Sequence, residues 1–131
     1  MPHASDCVIE AWGPDRASCL TEALQALMEE FTEAPDAAAP GVLPLAAGPG
    51  GAEDVLASLF EEVIDAINVF SVVPVRFHLT ETEEGGVAGD MEVVPLDQVV
   101  FVGPVPRAVS SRGLSMGAQV GGWRCHVLVD I

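Results

Sequence analysis

The residue types that could bind a metal ion or attack a substrate are concentrated near the two ends of the sequence. Asp6 and Cys7 lie near its start, and Cys125, His126 and Asp130 lie near its end. Carboxylate oxygens suit hard cations such as Ca²⁺, whereas cysteine and histidine side chains suit zinc. The sequence therefore offers two kinds of metal chemistry, and the elements that carry these residues decide between them.

A zinc site would draw on His3, Cys7, Cys125 and His126. Cys125 and His126 are adjacent in a predicted strand, where neighbouring side chains point to opposite faces, so they rarely bind one ion together. We therefore expect reduced, structural thiols, since the chain has only 3 cysteines and an odd, low count does not indicate a disulfide framework. A thiol enzyme that uses Cys7 or Cys125 with a histidine is a catalytic alternative, and its nucleophile would need a lowered pKa.

An oxygen-ligand site would draw on Asp6, Asp130 and the α-carboxylate of Ile131. If the first and last strands are neighbours, these three anionic groups converge and could bind Ca²⁺. Otherwise Asp6 is a turn residue and Asp130 a solvated strand end. Both interpretations stay open on these residues alone.

The sequence does not present the familiar catalytic motifs in the context that they need. Gly48–Gly51 contains a proline and is not followed by the Lys-Ser/Thr pair of a phosphate-binding loop. Gly113-Leu114-Ser115-Met116-Gly117 has the Gly-x-Ser-x-Gly spacing, but it lies at the end of a predicted strand and no helix is predicted after it, whereas a nucleophile elbow joins a strand to a helix. We therefore predict that the protein is not an enzyme.

The net charge of the protein restricts the classes of molecule that it can bind. Twenty acidic residues face five arginines and no lysine, and the formal net charge is −15. Such a chain repels phosphate backbones and lacks the counterion-release term of nucleic-acid binding. We expect basic proteins or hard cations as partners and no direct nucleic-acid binding.

No apolar run approaches the roughly 20 residues of a membrane span, and Met1–Asp6 lacks the basic and apolar parts of a signal peptide. These features predict a cytoplasmic protein without membrane association.

Two helical patterns occupy the first half of the sequence, after a predicted strand at Cys7–Trp12. The first helix is expected to begin near Asp15 or Ser18 and to end before Pro35, and its apolar stripe is Leu20, Leu24, Leu27, Met28 and Phe31. Residues 36–51 are predicted to be a loop with one short edge strand around Val42–Leu45. The second helix begins near Ala52, and its stripe is Val55, Leu56, Leu59, Phe60, Val63, Ile64 and Ile67.

The second half of the sequence has the period of β-strands. Predicted strands are Val72–Thr80, Val87–Val94, Val99–Val102, Arg107–Met116 and Trp123–Ile131, with Gly121-Gly122 as the turn before the last. Helices grouped early and strands grouped late indicate an α+β fold. We predict one domain over residues 1–131, with two helices packed on one face of a mostly antiparallel β-sheet.

The order of these segments resembles the archease family. His3-Ala4-Ser5-Asp6 followed by an apolar strand is similar to that family's opening His-Thr-Ala-Asp, and the helix at Asp54–Glu62 is similar to its second helix. Arg107-Ala108-Val109 resembles the family's Lys-Ala-Val. The ending from Gly122-Trp123 to Asp130-Ile131 resembles the Gly-Trp, alternating strand and Asp-Ile with which archeases finish.

The resemblance implies an archease-like fold and a function. Archeases are protein cofactors of the RtcB-type tRNA-splicing ligase, which uses GTP and divalent metal, and they promote its guanylylation and multiple turnover. Carried over residue by residue, the family's metal ligands become Asp6, Asp130 and Ile131, and the expected ion is Ca²⁺ or a similar divalent cation. The partner that the resemblance implies is therefore an RtcB-type RNA ligase.

The sequence departs from the family pattern at a few positions. Ser110-Ser111-Arg112 stands where the family has Thr-Tyr-His, and Arg107 replaces a lysine. These changes motivate an alternative in which the protein is a diverged archease-fold adaptor for a different basic protein.

Overall fold

The computed structural model describes residues 6–33 and 41–131. This part of the chain contains two helices, seven strands and one short 3-10 turn. The elements in order are β1 (Asp6–Gly13), α1 (Arg16–Phe31), β2 (Gly41–Ala47), α2 (Ala52–Asn68), β3 (Val72–Glu81), β4 (Val87–Pro95), the 3-10 turn Leu96–Gln98, β5 (Ala108–Val109), β6 (Ser115–Gln119) and β7 (Gly122–Asp130).

Polar side chains form hydrogen bonds with the backbone at both ends of helix α1. Asp15 is its N-cap, and its carboxylate accepts from the backbone N–H of Ser18 at 2.8 Å. Such caps satisfy an N–H that has no partner inside the helix. At the other end the Thr32 hydroxyl donates to the Met28 carbonyl at 2.8 Å. The predicted stripe through Phe31 is buried as expected, whereas Pro35, the expected end of the helix, lies outside the described residues.

Helix α2 carries the more apolar stripe. All seven predicted stripe residues are buried, and Glu53 and Asp54 lie in its first turn, where the helix dipole favours acidic side chains. Both helices contact strands of two different sheets. The core therefore consists of the apolar stripes of the two helices and the buried faces of both sheets.

The strands form two antiparallel sheets within the described residues. In the first sheet β7 is central: β1 pairs with one edge, and β5 and β6 both pair with the other. The second sheet has the order β2-β4-β3, so β2 is an edge strand as predicted. The α+β class is confirmed. The sequence pattern did not separate the strands into two sheets, because strand periodicity does not encode which strands pair.

Two strand predictions were wrong. Val99–Val102 is a loop in which Phe101 bridges to Thr32, and Pro104 and Pro106 beyond it lack the N–H groups that would extend this pairing. Arg107–Met116 is two strands, β5 and β6.

The break between β5 and β6 is an insertion. Between the pairs Val109–Val129 and Ser115–His126 the chain advances six residues while β7 advances only three, so three extra residues loop out. Gly113 lies in this loop-out with φ 75°, a conformation that a side chain disfavours.

No helix in the described part of the chain has the length and apolar character needed to cross a membrane.

Candidate metal centre

The pairing of β1 with β7 brings the two predicted aspartates together. Their register places Asp6 directly opposite Asp130 and Ile9 opposite Val127. Side chains of directly opposed residues lie on the same face, with Cβ atoms about 4.5–5.5 Å apart. The first and last strands are therefore neighbours, as the oxygen-ligand hypothesis required. Asp6 and Asp130 lie on the outer face, since their neighbours Cys7 and Val129 point towards the core.

The backbone around Asp130 is fixed from the side opposite Asp6. The Arg107 N–H donates to the Asp130 carbonyl at 2.8 Å, and the Ser110 N–H donates to the Leu128 carbonyl at 2.8 Å. These bonds continue the β5 ladder on β7. The strand end that carries Asp130 is therefore held between two neighbouring strands.

A cavity of about 310 Å³ lies at this end of the sheet. Asp6 and Ile131 line it, together with Glu30 and Phe31 from the last turn of α1 and Pro106 from the segment before β5. The cavity thus joins the ends of β1 and β7 to the end of α1. Sequence reasoning missed Glu30, because it lies off the apolar stripe of its helix and carries no motif.

The donor chemistry fits a hard cation. Asp6, Asp130 and the Ile131 carboxylate offer oxygen atoms only, which Ca²⁺ prefers. In residues 6–33 and 41–131 no three His, Cys, Asp or Glu side chains lie close enough to hold a metal ion together. Within the described residues, no further His, Cys, Asp or Glu side chain therefore completes a three-ligand set with the two aspartates. His3 lies outside the described residues.

The thiols have the opposite chemistry to an activated nucleophile. Burial raises the pKa of Cys7, and the negative charge of Glu30 raises it further. Cys19 and Cys125, the buried thiol pair, are both 0% exposed. Burial, helped by the neighbouring Cys19 thiol, raises the pKa of Cys125 to about 12. Reactive thiols have lowered pKa values, so these shifts argue against the thiol-enzyme alternative.

The zinc candidates on β7 are separated by the sheet. Cys125 faces the core, and the Cys19 thiol next to it donates to the Ala11 carbonyl at 3.5 Å. His126 faces outward, and its Nδ1 lies 2.6 Å from the Gly113 carbonyl. A carbonyl oxygen only accepts, so Nδ1 carries the hydrogen. Adjacent residues thus point to opposite faces, as the strand prediction required.

The sequence is similar to a known protein family and to two proteins of that family. The chain matches the archease protein family (MTH1598/TM1083) over residues 1–131. It is 32% identical over 131 residues to the probable protein archease of Mycobacterium tuberculosis strain H37Rv, covering 100% of this chain and 73% of that protein. The homologue from strain CDC 1551 / Oshkosh gives the same values.

Two solved structures share the fold. The archease of Thermotoga maritima, described as a possible chaperone, has a TM-score of 0.72 at 15% identity, with 100% of this chain and 94% of that one covered. Protein 1598 of Methanobacterium thermoautotrophicum has a TM-score of 0.68 at 13% identity, with 100% and 96% covered. At these identities the likeness shows the fold alone. Together with the match along its whole length and the 32% identical homologues, it shows that this chain belongs to the archease family.

Proposed function

We propose that this protein is a metal-binding cofactor of an RtcB-type RNA ligase and that it promotes guanylylation and multiple turnover of the tRNA-splicing ligase in the cytoplasm. In this proposal the ligase performs the chemistry with GTP, and the archease does not itself act as an enzyme. The observation that carries the proposal is that, in a member of the archease family, Asp6 lies opposite Asp130 and lines a cavity together with Ile131.

Charge supports action on the ligase instead of on its RNA. With a net charge of −15, the protein repels a phosphate backbone and attracts the basic surface by which an RNA-binding enzyme holds its substrate. Opposite charge would speed the encounter between the two proteins and make it sensitive to salt. The same charge disfavours direct RNA binding.

The proposed cation site consists of Asp6, Asp130 and the Ile131 carboxylate, with Ca²⁺ or a similar divalent ion. A bound cation would neutralise anionic groups that otherwise repel one another and would order the meeting point of β1 and β7. The protein residues supply oxygen ligands on a sheet held by the β5 ladder. That arrangement would keep the site rigid enough to be presented to a partner.

RNA ligation under multiple-turnover conditions tests the proposal. The cognate RtcB-type ligase is assayed with excess RNA, GTP and divalent metal, with and without this protein. We expect more product per ligase and faster ligase guanylylation when the protein is present. A folded protein that adds no turnovers to a competent ligase would contradict the cofactor role.

An adaptor function for a different basic protein is the second candidate. It is favoured by Ser110, Ser111 and Arg112, which depart from the family pattern and lie in the loop-out between β5 and β6. This loop-out adjoins the outer face of the first sheet, where Gly113 meets His126. Restoring Thr-Tyr-His at these three positions should increase ligase turnover if the changes have weakened activation. Capture of a basic protein other than the ligase, without ligase binding, would favour the adaptor.

A further inference from the structure

Large apolar side chains are exposed at the end of the fold that carries the candidate metal centre. They belong to two short segments, the residues after α2 and the loop before β5. Together we name them the apolar rim: Val69, Phe70, Val100, Phe101 and Val102, which are 66%, 67%, 61%, 40% and 56% exposed. Contiguous exposed apolar residues with polar surroundings mark interaction sites. The question is whether these five residues form one surface.

The loop before β5 is attached directly to the wall of the metal-site cavity. The Val102 N–H donates to the Phe31 carbonyl at 2.8 Å. The rings of Phe31 and Phe101 stack with centroids 6.3 Å apart. Phe31 itself lines the cavity that Asp6 and Ile131 line. The loop part of the apolar rim is therefore one side chain away from the proposed cation ligands.

The residues after α2 join the same surface. Phe101 and Ser71 line one cavity, and Phe70 immediately precedes Ser71. The Asn68 side-chain amide donates to the Pro106 carbonyl at 3.0 Å, and Pro106 also lines the metal-site cavity. The end of α2 is thus fastened to Pro106 in the wall of the metal-site cavity, and Phe101 connects the two segments of the apolar rim.

The surroundings of the apolar rim are acidic. Glu33 donates its N–H to the Val100 carbonyl at 3.1 Å, Asp97 lines the cavity of Phe101, and Glu30 lines that of Asp6. Arg107 lies next to Pro106 as the nearest cation in the sequence. An anionic lipid surface would be repelled by these acids, and a second copy of this chain would bring another −15 charge against them. The complementary surface is a basic one.

We propose that the apolar rim docks into an apolar depression bordered by lysine and arginine side chains on the partner protein. This inference rests on the proposed function, in which the partner is the RtcB-type ligase. The apolar side chains provide the buried centre of the interface, and the surrounding acids select a basic partner. Fully desolvated aromatic and aliphatic anchors carry most of the free energy in such interfaces.

Serine variants with a matched control test this surface. Phe70→Ser and the double variant Val100→Ser/Val102→Ser shorten exposed side chains and leave the backbone hydrogen bonds in place. Val120→Ser removes an equally apolar side chain, 102% exposed, at the β6–β7 turn. That turn lies at the opposite end of β7, roughly 26 Å from Asp130 at about 3.3 Å per residue. Affinity for the purified cognate ligase is measured by titration calorimetry, and circular dichroism checks folding.

We expect each rim variant to bind the ligase about tenfold or more weakly, the effect of losing an interface anchor, while Val120→Ser binds as wild type does. Equal affinity of rim variants and wild type would overturn this inference and leave the proposed function standing. If wild type itself does not bind the ligase, the proposed function falls, and this inference falls with it. An equal loss in Val120→Ser would show a general apolar effect and would overturn the inference.

Two further measurements test whether a second copy of this chain or a lipid surface covers the apolar rim instead. Sedimentation of wild type and the rim variants tests for a dimer held by the rim, and flotation with phosphatidylglycerol-containing vesicles tests for lipid binding. We expect the wild type and the rim variants to sediment as monomers and not to float with the vesicles. A dimer, or vesicle binding, that the rim variants lose would overturn the inference in favour of a second copy or a membrane.

Discussion

Replacement of Asp6 by asparagine tests the candidate metal centre through two opposite effects on stability. Without a cation, Asp6 and Asp130 oppose each other across β1 and β7. At a separation of about 5 Å, two unit charges repel by about 0.8 kcal/mol in water and about 3 kcal/mol at an effective dielectric constant of 20. Both side chains are partly exposed, so screening puts the repulsion near 1 kcal/mol. The Asp6→Asn variant should therefore be more stable than wild type in EDTA.

Calcium should reverse that order. A ligand that binds only the folded state at 100 times its Kd stabilises it by about 2.7 kcal/mol. For a chain of this size, about 3 °C of Tm corresponds to each kcal/mol. Wild type should therefore gain about 8 °C in saturating Ca²⁺, whereas Asp6→Asn should gain less than about 2 °C and start about 3 °C higher in EDTA.

The assay is thermal unfolding followed by circular dichroism, in EDTA and over a series of Ca²⁺ concentrations. Asp90→Asn is the matched control, because Asp90 lies on β4 opposite His78 and has no acidic residue directly across on that strand. It should keep the full calcium shift. A full calcium shift in Asp6→Asn, or none in wild type, would refute the assignment of Asp6 as a ligand.

Three further predictions concern reactivity, packing and pH. Ellman's reagent on the native protein should modify Cys7 first and the buried thiol pair only after unfolding in guanidinium, and rapid reaction of all three thiols would contradict their burial. Gly89→Ala should cost more than about 3 kcal/mol in urea unfolding, because a Cβ there would meet the His78 carbonyl oxygen at 1.7 Å. Gly117→Ala, with no atom within 4 Å of its Cβ, should change stability by less than about 0.5 kcal/mol, and equal losses would refute the packing argument. Hydrogen bonds from His78 and then from Arg76, both on β3, lower the pKa of Glu92. The contribution of Glu92 to stability is therefore present above its unfolded pKa and is lost as pH falls through the folded pKa. The Glu92→Gln variant should therefore lose less stability than wild type on acidification below about pH 4.5, and parallel stability profiles would contradict this.

Helices and long strands were accessible from the sequence because burial follows a local period. The stripes of α1 and α2 are the buried faces of the two helices, and alternation identified β3, β4 and β7. The loop at residues 99–102 was wrongly assigned, since Val99–Val102 has the composition of a strand. Composition alone does not show that the pairing there is a single bridge to Thr32.

The break between β5 and β6 also escaped the sequence analysis. Ala108 and Ser115 pair with the same strand, but three extra residues loop out between the two paired segments. An insertion of this kind depends on the register against β7, which is a relation between distant segments. Nothing in the local pattern of residues 107–116 encodes it.

The residues alone left the candidate site open, and only the family resemblance favoured it. Asp6 and Asp130 are 124 positions apart in the chain, so spacing could not show that they meet. The antiparallel register of β1 and β7 places them opposite each other. Glu30 lines the cavity that Asp6 and Ile131 also line, because α1 ends there. No sequence motif indicates this position.

The sequence by itself determined the acidic charge, the two amphipathic helices and the strand-rich second half, since each follows from composition or from a short period. Only the tertiary structure decided which strands pair, that they form two sheets, and that Phe70 and Phe101 stay exposed beside the ends of β1 and β7. The physical reason is that pairing and exposure depend on contacts between residues far apart in the chain. Local periodicity indicates which side chains favour burial. The packing of the whole chain decides which apolar side chains stay exposed.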